Sequence, residues 1–299
     1  MTIQNQTPNE KQTAMIKVFY TPQMVAKVIS SSPSPSKPAF VADSWRSKFS
    51  GLQIEAPAPA TVEMLYLAHS KDYVDGIMAG RIPNGFRTKD MAVAMALPYT
   101  TGAMLAAARE ALVNGKVAVA PCSGFHHAAW DEAEGYCTFN GLMVTAMVLK
   151  HEGRVARVGI LDFDQHYGNG TQHIIDHLGL DWITHYSAGK HYDNSTQAEK
   201  FLQSILGHAN SMANCDLVLY QAGADPHVND PLGGWLTTEQ LRQRDQLVFE
   251  AFSGLGVPVA WNLAGGYQEP FSRVLEIHDN TMKACIDVYC SQDIQADND

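Results

Sequence analysis

Short apolar runs alternate with longer segments of helical periodicity from about residue 99 onward. The apolar runs predict strands at 117–120, 158–163, 217–220 and 258–263, each bounded by glycine, proline or polar residues. The periodic segments predict helices at 100–113, 141–151, 197–212, 238–252 and 272–287. This alternation is typical of an α/β fold, a three-layer arrangement in which helices cover both faces of a central, mostly parallel sheet.

The rest of the chain offers fewer signals. The tract SSSPSPSKP at 30–38 resists helix and strand because proline lacks a backbone donor, so we predict a surface loop. The polar ends, 1–13 and 291–299, are expected to be flexible tails of a single domain spanning 1–299. The N-terminus has no apolar signal segment, and no run of about 18 apolar residues occurs. We therefore expect a cytoplasmic protein that does not bind membranes.

Charge and cysteine content narrow the class of partner. The chain has 31 Asp and Glu against 21 Lys and Arg, a net charge of -10, which disfavours nucleic acid and suits cationic partners such as amines. Its five cysteines are odd in number and lack C-x-x-C spacing. Neither a disulfide framework nor a thiolate zinc site is indicated, which fits a reducing compartment.

Polar motifs follow all four predicted strands. They read, in chain order, PCSGFHHA, DQHYGNGTQ, QAGADPHVNDPLGG and AGGYQ. Parallel sheets bind ligands beyond the carboxyl ends of their strands. We therefore expect these motifs to form one site at a single edge of the sheet.

The second and third motifs predict a metal site. Asp162, Asp164 and His166 are spaced i, i+2, i+4, so their side chains would share one face if the strand continues that far. Asp225 can supply a further ligand from a neighbouring strand. We predict a metal ion bound by Asp164, His166 and Asp225, the ligand composition of a catalytic zinc site, although Fe²⁺, Co²⁺ or Mn²⁺ would also suit these donors. Taken singly, the carboxylates could equally be helix caps and the histidine a loop residue.

Further candidates lie in the neighbouring motifs. His126 and His127 could transfer protons, with Asp162 and Asn169 as partners that select their tautomers. Tyr267 could stabilise an oxyanion. We assign four positions to substrate binding: Gly135, Tyr136, Gly265 and Gly266. Cys137 is interpreted as a small buried apolar residue, because the sequence shows no activating partner.

Five motifs in order, GFHHA, EGYCTFN, LDFDQHYGNGTQH, AGADPHVNDPLGG and AGGY, resemble the histone deacetylase and acetylpolyamine amidohydrolase superfamily. Asn169 resembles the class II and bacterial branch. The resemblance implies an arginase-like deacetylase fold and zinc at Asp164, His166 and Asp225. It also implies that His126 pairs with Asp162, that His127 pairs with Asn169 as the main general base and acid, and that K⁺ binds near Asp162.

The implied activity is that of a zinc-dependent amidohydrolase, a deacetylase in which a metal-activated water attacks an acyl amide. The amine could belong to acetyl-lysine in proteins, to a polyamine or to another small molecule. Tyr167 and Ala264 depart from the usual family residues. The region 186–216 is shorter than in the family, which suggests a differently walled substrate channel.

Two alternatives stay open at this point. One is a non-catalytic protein that binds acyl amines. The other is a binuclear ureohydrolase related to arginase and agmatinase, which needs an aspartate two residues after the histidine ligand. This chain has Gly168 at that position, which disfavours the binuclear enzyme. The sequence predicts no particular oligomeric state.

Overall fold

The computed structural model describes residues 15–28, 30 and 32–290. The predicted tails at 1–13 and 291–299 lie outside these residues. The described strands form a seven-stranded sheet in the order β2-β1-β3-β7-β6-β4-β5, and every neighbouring pair is parallel. The strands are β1 (Ile16–Phe19), β2 (Leu52–Glu55), β3 (Val117–Ala120), β4 (Val158–Asp162), β5 (Ile183–Ser187), β6 (Leu217–Gln221) and β7 (Val259–Asn262).

Helices connect these strands, as parallel pairing requires. Several begin with side-chain caps; Thr237, for example, accepts from the backbone of Gln240 in a reciprocal capping box. The helices are α1 (Lys37–Lys48), α2 (Val62–Tyr66), α3 (Lys71–Met78), α4 (Met91–Asn114), α5 (Gly141–His151), α6 (Asn169–Leu178), α7 (Ala198–Ser211), α8 (Thr238–Leu255) and α9 (Ser272–Tyr289).

Alternate strand residues enter two separate cores. Val218 and Tyr220 of β6 pack with α1, α7, α8 and α9, whereas Leu217 and Leu219 pack with α2 to α6 on the opposite face. The same alternation recurs along β3, β4 and β7, whose residues are all buried. A strand buried on both faces reads as a continuous apolar run, which is why these strands were recognisable. The predicted three-layer α/β fold is confirmed.

The structure corrects several boundaries. Strands β1, β2 and β5 were not predicted, and α4 begins at Met91 rather than at residue 100. The described part of the tract at 30–38 is not simply a surface loop: Ser32 and Lys37 are buried, and α1 begins within the tract. Proline was tolerated because Pro38 lies in the first turn of α1, where no intrahelical donor is needed.

Helix α4 is long and apolar enough to cross a membrane by length and composition. It is instead a core helix: Ala103, Met104 and Ala107 are fully buried against the sheet and α5. Its apolar character is therefore accounted for by packing.

Four neighbouring strands, β3, β7, β6 and β4, precede the four polar motifs. Because all are parallel, their carboxyl ends meet at one edge of the sheet. The topology therefore brings together segments separated by more than a hundred residues in the sequence.

Candidate active site

Asp162 is the last residue of β4, so the strand does not continue to Asp164 and His166 as the alternation argument required. Two hydrogen bonds from backbone N–H groups to aspartate side chains turn the chain instead. The Oδ1 atom of Asp162 accepts from the backbone N of Asp164 at 3.1 Å, and Oδ1 of Asp164 accepts from the backbone N of His166 at 2.9 Å. These Asx-type turns bring both side chains toward β6 and β7.

Asp164, His166 and Asp225 form one cluster, in which one candidate ligand atom from each residue lies within 4.8 Å of the other two. The Nδ1 atom of His166 is 3.2 Å from Oδ1 of Asp164 and 3.4 Å from Oδ2 of Asp225. That Asp225 oxygen is buried and accepts no hydrogen bond from the described residues. An orphaned carboxylate oxygen facing a second carboxylate and an imidazole fits a divalent cation.

The electrostatics of the cluster also fit a cation. Burial and the adjacent Asp164 carboxylate raise the pKa of Asp225 to about 7. Burial also raises the pKa of Asp164, but the charge on His126 and hydrogen bonds with His166 outweigh it and hold that pKa below its usual range. The contacts of its imidazole with the Asp164 and Asp225 carboxylates raise the pKa of His166 to about 10. The centre of the cluster thus stabilises positive charge, whether as a proton or as a metal ion.

His126 is buried and bonded through Nδ1 to Oδ2 of Asp162 at 2.7 Å. The other oxygen of Asp162 accepts from Gln221 Nε2 at 2.9 Å, so the carboxylate is held from both sides. Burial lowers the pKa of His126, but attraction to Asp162 and Asp164 outweighs it and raises that pKa to about 9. His126 is therefore charged at neutral pH.

His127 has a neutral partner. Its Nδ1 atom lies 2.6 Å from Oδ1 of Asn169, which is the first residue of α6. Burial and the charge on His126 lower the pKa of His127 to about 4. His127 is therefore neutral at pH 7, and because Nδ1 is engaged, Nε2 is the nitrogen left for proton transfer.

Tyr267 lines the same pocket as His127, His166 and Asp164. Its backbone N donates to Oδ2 of Asp230 at 2.8 Å, which anchors the segment after β7. Burial and the carboxylates of Asp225 and Asp164 raise the pKa of Tyr267 far above its usual range. The phenol thus stays protonated and can donate a hydrogen bond to an oxyanion.

The two glycines before Tyr267 have different surroundings. The backbone N of Gly265 donates to Oδ2 of Asp164 at 2.8 Å, and a Cβ at Gly265 would lie 2.0 Å from Oδ2 of Asp225. Gly265 therefore lets the backbone approach the metal ligands. A Cβ at Gly266 would instead meet Ala224 and Val274. A role of Gly266 in substrate binding stays a prediction.

Gly135 and Tyr136 form the tip of a two-residue hairpin. The backbone N of Glu134 donates to the carbonyl of Cys137 at 3.1 Å, and the reverse bond is 2.8 Å. Both tip residues have positive φ, 53° and 65°, as a type I′ turn requires. A Cβ at Gly135 would lie 2.3 Å from the His127 ring. The turn thus lies directly against the imidazole and places the Tyr136 ring 6.0 Å from that of Tyr267.

Cys137, at the base of this hairpin, is buried and donates to the carbonyl of Gly124 at 3.2 Å. Burial raises the pKa of its thiol to about 12. The thiol is therefore protonated, which agrees with its interpretation as an inert residue.

A second, apolar cavity adjoins the pocket. It has a volume of about 60 Å³ and is lined mainly by side chains such as Met24, Phe86, Val93, Leu97 and Phe125. It shares Ser34, Gly124, Tyr136 and Cys137 with the metal pocket. Apolar space is therefore present immediately beside the candidate metal ligands.

Sequence reasoning missed residues that support the site from a distance. The fully buried Lys37 donates to the carbonyl of Ala264 at 2.8 Å, next to the glycines that precede Tyr267. The fully buried Arg244 donates to the carbonyls of Phe163 at 3.1 Å and Gly223 at 2.7 Å, beside two metal ligands. A lysine and an arginine within helical segments carry no local signal of such contacts.

Position 168 distinguishes the mononuclear from the binuclear site. A Cβ at Gly168 would lie 2.6 Å from Oδ2 of Asp162, so a side chain has no room there. Among the described residues, the trio is the one group of three or more acidic, histidine or cysteine side chains close enough to share a metal ion. The geometry supports a single-metal centre.

Comparison with known proteins shows which family the chain resembles. The model of the histone deacetylase domain matches residues 34–179 and 183–282. An uncharacterized protein of Picosynechococcus sp. is 27% identical over 268 residues, covering 79% of this chain and 86% of that protein. Histone deacetylase 2 of Arabidopsis thaliana is 27% identical over 172 residues, but these cover 51% of this chain and only 44% of the relative.

Among solved structures, the crystal structure of the HDA15 HD domain superposes with a TM-score of 0.76 at 19% identity. The match covers 93% of this chain and 91% of that one, which shows a shared fold. The domain match extends across most of the chain and includes every residue of the site. The chain therefore belongs to the histone deacetylase family and is a hydrolase of acetylated amides.

Proposed function

We propose that this protein is a zinc-dependent deacetylase that hydrolyses the acyl amide of acetyl-lysine or of another acetylated amine. The observation that carries the metal assignment is the orphaned Oδ2 of Asp225, buried beside Asp164 and His166. These three residues would hold the ion. When bound, zinc polarises a carbonyl and lowers the pKa of water, and Fe²⁺ or Co²⁺ would supply the same chemistry.

The surrounding side chains suit the proton transfers of amide hydrolysis. Neutral His127 would take a proton at Nε2 from the attacking water and return it to the leaving amine. The protonated phenol of Tyr267 would donate to the oxygen that gains negative charge. Charged His126 would stabilise the same developing charge from the side of Asp162. The products are a carboxylate and a free amine.

The substrate proposal rests on charge and shape. The net charge of -10 favours an amine whose remaining groups are cationic. The Tyr136 and Tyr267 rings, with centroids 6.0 Å apart, form an aromatic wall that would pack against an aliphatic stem at the pocket. The proposal also includes a potassium ion near Asp162 and a cytoplasmic location, where the five cysteines, which form no disulfide among the described residues, would stay reduced.

A substrate panel tests this proposal. Zinc-reconstituted protein is incubated with an acetyl-lysine peptide, acetylputrescine and longer acyl-lysine analogues, and amine release is measured. The longer chains are included because the adjoining cavity is apolar. We expect release from at least one acetylated member. No release from any member by protein with zinc bound would favour the non-catalytic acyl-amine binder.

A further inference from the structure

Glu134, Asn169 and His127 form a continuous chain of side-chain hydrogen bonds. The Nδ2 atom of Asn169 donates to Oε2 of Glu134 at 2.7 Å, while its Oδ1 atom bonds to Nδ1 of His127 at 2.6 Å. Glu134 is exposed, and it was not among the residues expected to take part in the site. Its contact with Asn169 links it to the proton-transfer residue.

An asparagine amide can present either end to a neighbour. If the oxygen faces His127, Nδ1 of the imidazole must carry the proton, and Nε2 keeps a lone pair. If the amide turns over, its NH₂ faces Nδ1, the proton moves to Nε2 and the base is lost. The carboxylate of Glu134 only accepts, so it bonds to the NH₂ end and favours the first arrangement.

We propose that Glu134 is a positioning residue that selects the productive tautomer of His127 by fixing the amide orientation of Asn169. This proposal rests on the proposed function only for its effect on rate; the tautomer itself does not depend on turnover. Glu134 touches neither substrate nor metal in this role.

The local backbone explains how an exposed side chain can hold a defined position. Glu134 opens the two-residue hairpin that ends at Cys137, and backbone bonds run in both directions between these residues. Gly135, at the tip, lies directly against the His127 ring. The hairpin therefore ties the Glu134 backbone to His127, so only the glutamate side chain has to be ordered.

The hydrogen-bond chain from Glu134 through Asn169 to His127 also differs from the direct pairing of a histidine with a carboxylate. Asp162 bonds His126 directly, and that imidazole gains charge. With Asn169 between Glu134 and His127, the acid supplies orientation but its charge lies one residue further away. This arrangement keeps His127 a neutral base, as its low pKa requires.

The first test reads the tautomer directly. Zinc-loaded protein with ¹⁵N-labelled histidine is studied at pH 7, and a His127→Gln spectrum assigns the His127 signals. We expect Nε2 to be the unprotonated nitrogen in the wild type and in Glu134→Gln, which keeps an acceptor. Glu134→Ala should show a substantial share of the other tautomer. Asp131→Ala, at an exposed acid of the same loop, should match the wild type.

Kinetics give a second readout. Loss of one hydrogen bond to a charged acceptor should lower kcat about tenfold in Glu134→Ala with KM changed less than about twofold, and Glu134→Gln should recover most of the rate. An unchanged tautomer in Glu134→Ala would overturn the proposal. A shifted tautomer in a protein that hydrolyses nothing would overturn the proposed function and leave the positioning role intact.

A double substitution provides the sharpest control. Asn169→Asp would set a carboxylate against Glu134 across the present 2.7 Å contact, where two acceptors repel. Glu134→Gln would restore a donor, so the double variant should be at least about tenfold more active than Asn169→Asp alone. If the effects of the two substitutions on activity simply add, and the double variant shows no recovery, the residues are not directly linked.

Discussion

The imidazole rings of His126 and His127 lie 4.1 Å apart, yet their pKa values are shifted in opposite directions. His126 bonds to a buried carboxylate, whereas His127 bonds to an amide and lies beside the charge of His126. Two adjacent residues of the same type thus take different protonation states at pH 7. Their partners, Asp162 and Asn169, determine which one can act as a base.

This difference predicts the acid limb of the pH profile. The active form of His127 is neutral, and its pKa of about 4 means that this form persists until the pH approaches that value. We expect kcat/KM to show no loss from His127 protonation between pH 7 and about 5, and to fall below that range. Initial rates after brief exposure to each pH check this. An acid limb near pH 6.5 in protein that stays folded and keeps its zinc would contradict the assignment.

Substitution of Tyr267 by Phe removes one oxyanion donor and leaves the ring. We expect kcat to fall by about 100-fold or more, with zinc content and the free energy of unfolding nearly unchanged. Steady-state kinetics and metal analysis of the same preparation separate these effects. Full activity of Tyr267→Phe would show that the phenol has no part in the chemistry.

Gly265→Ala should impair metal binding without removing any ligand. The new Cβ would lie 2.0 Å from Oδ2 of Asp225, so the ligand or the loop must move. We expect zinc affinity to fall at least about tenfold, as measured by competition with a chromogenic chelator. Gly207→Ala is the matched control: it lies within α7 with no atom near the new Cβ, and should stabilise the protein by up to about 1 kcal/mol.

Much of this site follows from sequence because its residues stand directly after apolar runs. Strands β3, β4, β6 and β7 are buried on both faces, so their ends and the motifs after them could be placed. Strand β5 contains Thr184, His185 and Tyr186, which are only partly buried, and its composition gives no such signal. The strand bearing Asp162 ends earlier than alternation suggested, because Asx-type turns compete with the ladder.

Residues that act through distant contacts were beyond sequence reasoning. Lys37 meets the carbonyl of Ala264 across 227 positions, and no local pattern links them. Glu134 is the first residue of the motif EGYCTFN, but its proposed role depends on the hairpin that brings its side chain to Asn169. Such roles emerge only once the packing of loops against one another is known.

Buried neutral histidine should make stability depend on pH. His69 is fully buried, with Nδ1 2.8 Å from the carbonyl of Ala129 and Nε2 accepting from the backbone N of Asn140 at 2.8 Å. Burial lowers the pKa of His69 from 6.5 to about 4. In the unfolded chain His69 binds a proton below pH 6.5, whereas in the folded chain it stays neutral down to about pH 4. The free energy of unfolding therefore decreases as the pH falls from 6.5 to about 4.

This contribution of His69 amounts to roughly 3 kcal/mol. Urea unfolding at several pH values should show the decline in the free energy of unfolding, and His69→Gln should reduce its steepness. The two proteins are compared by how steeply the free energy of unfolding changes with pH. A lower overall stability of the variant therefore does not affect the comparison. An identical slope in both proteins would show that His69 does not titrate differently on unfolding.

The central claim is that Asp164, His166 and Asp225 hold one divalent ion required for amide hydrolysis. The most direct measurement is zinc content and acetyl-lysine peptide hydrolysis for the same samples, before chelation, after chelation and after zinc is restored. Asp225→Asn and Asp131→Asn serve as ligand variant and exposed control. We predict about one zinc per chain, and activity that is lost on chelation and regained when zinc is restored. Asp225→Asn should lose both zinc and activity, whereas Asp131→Asn should keep both. Activity that survives chelation, or zinc that stays bound in Asp225→Asn, would contradict the account.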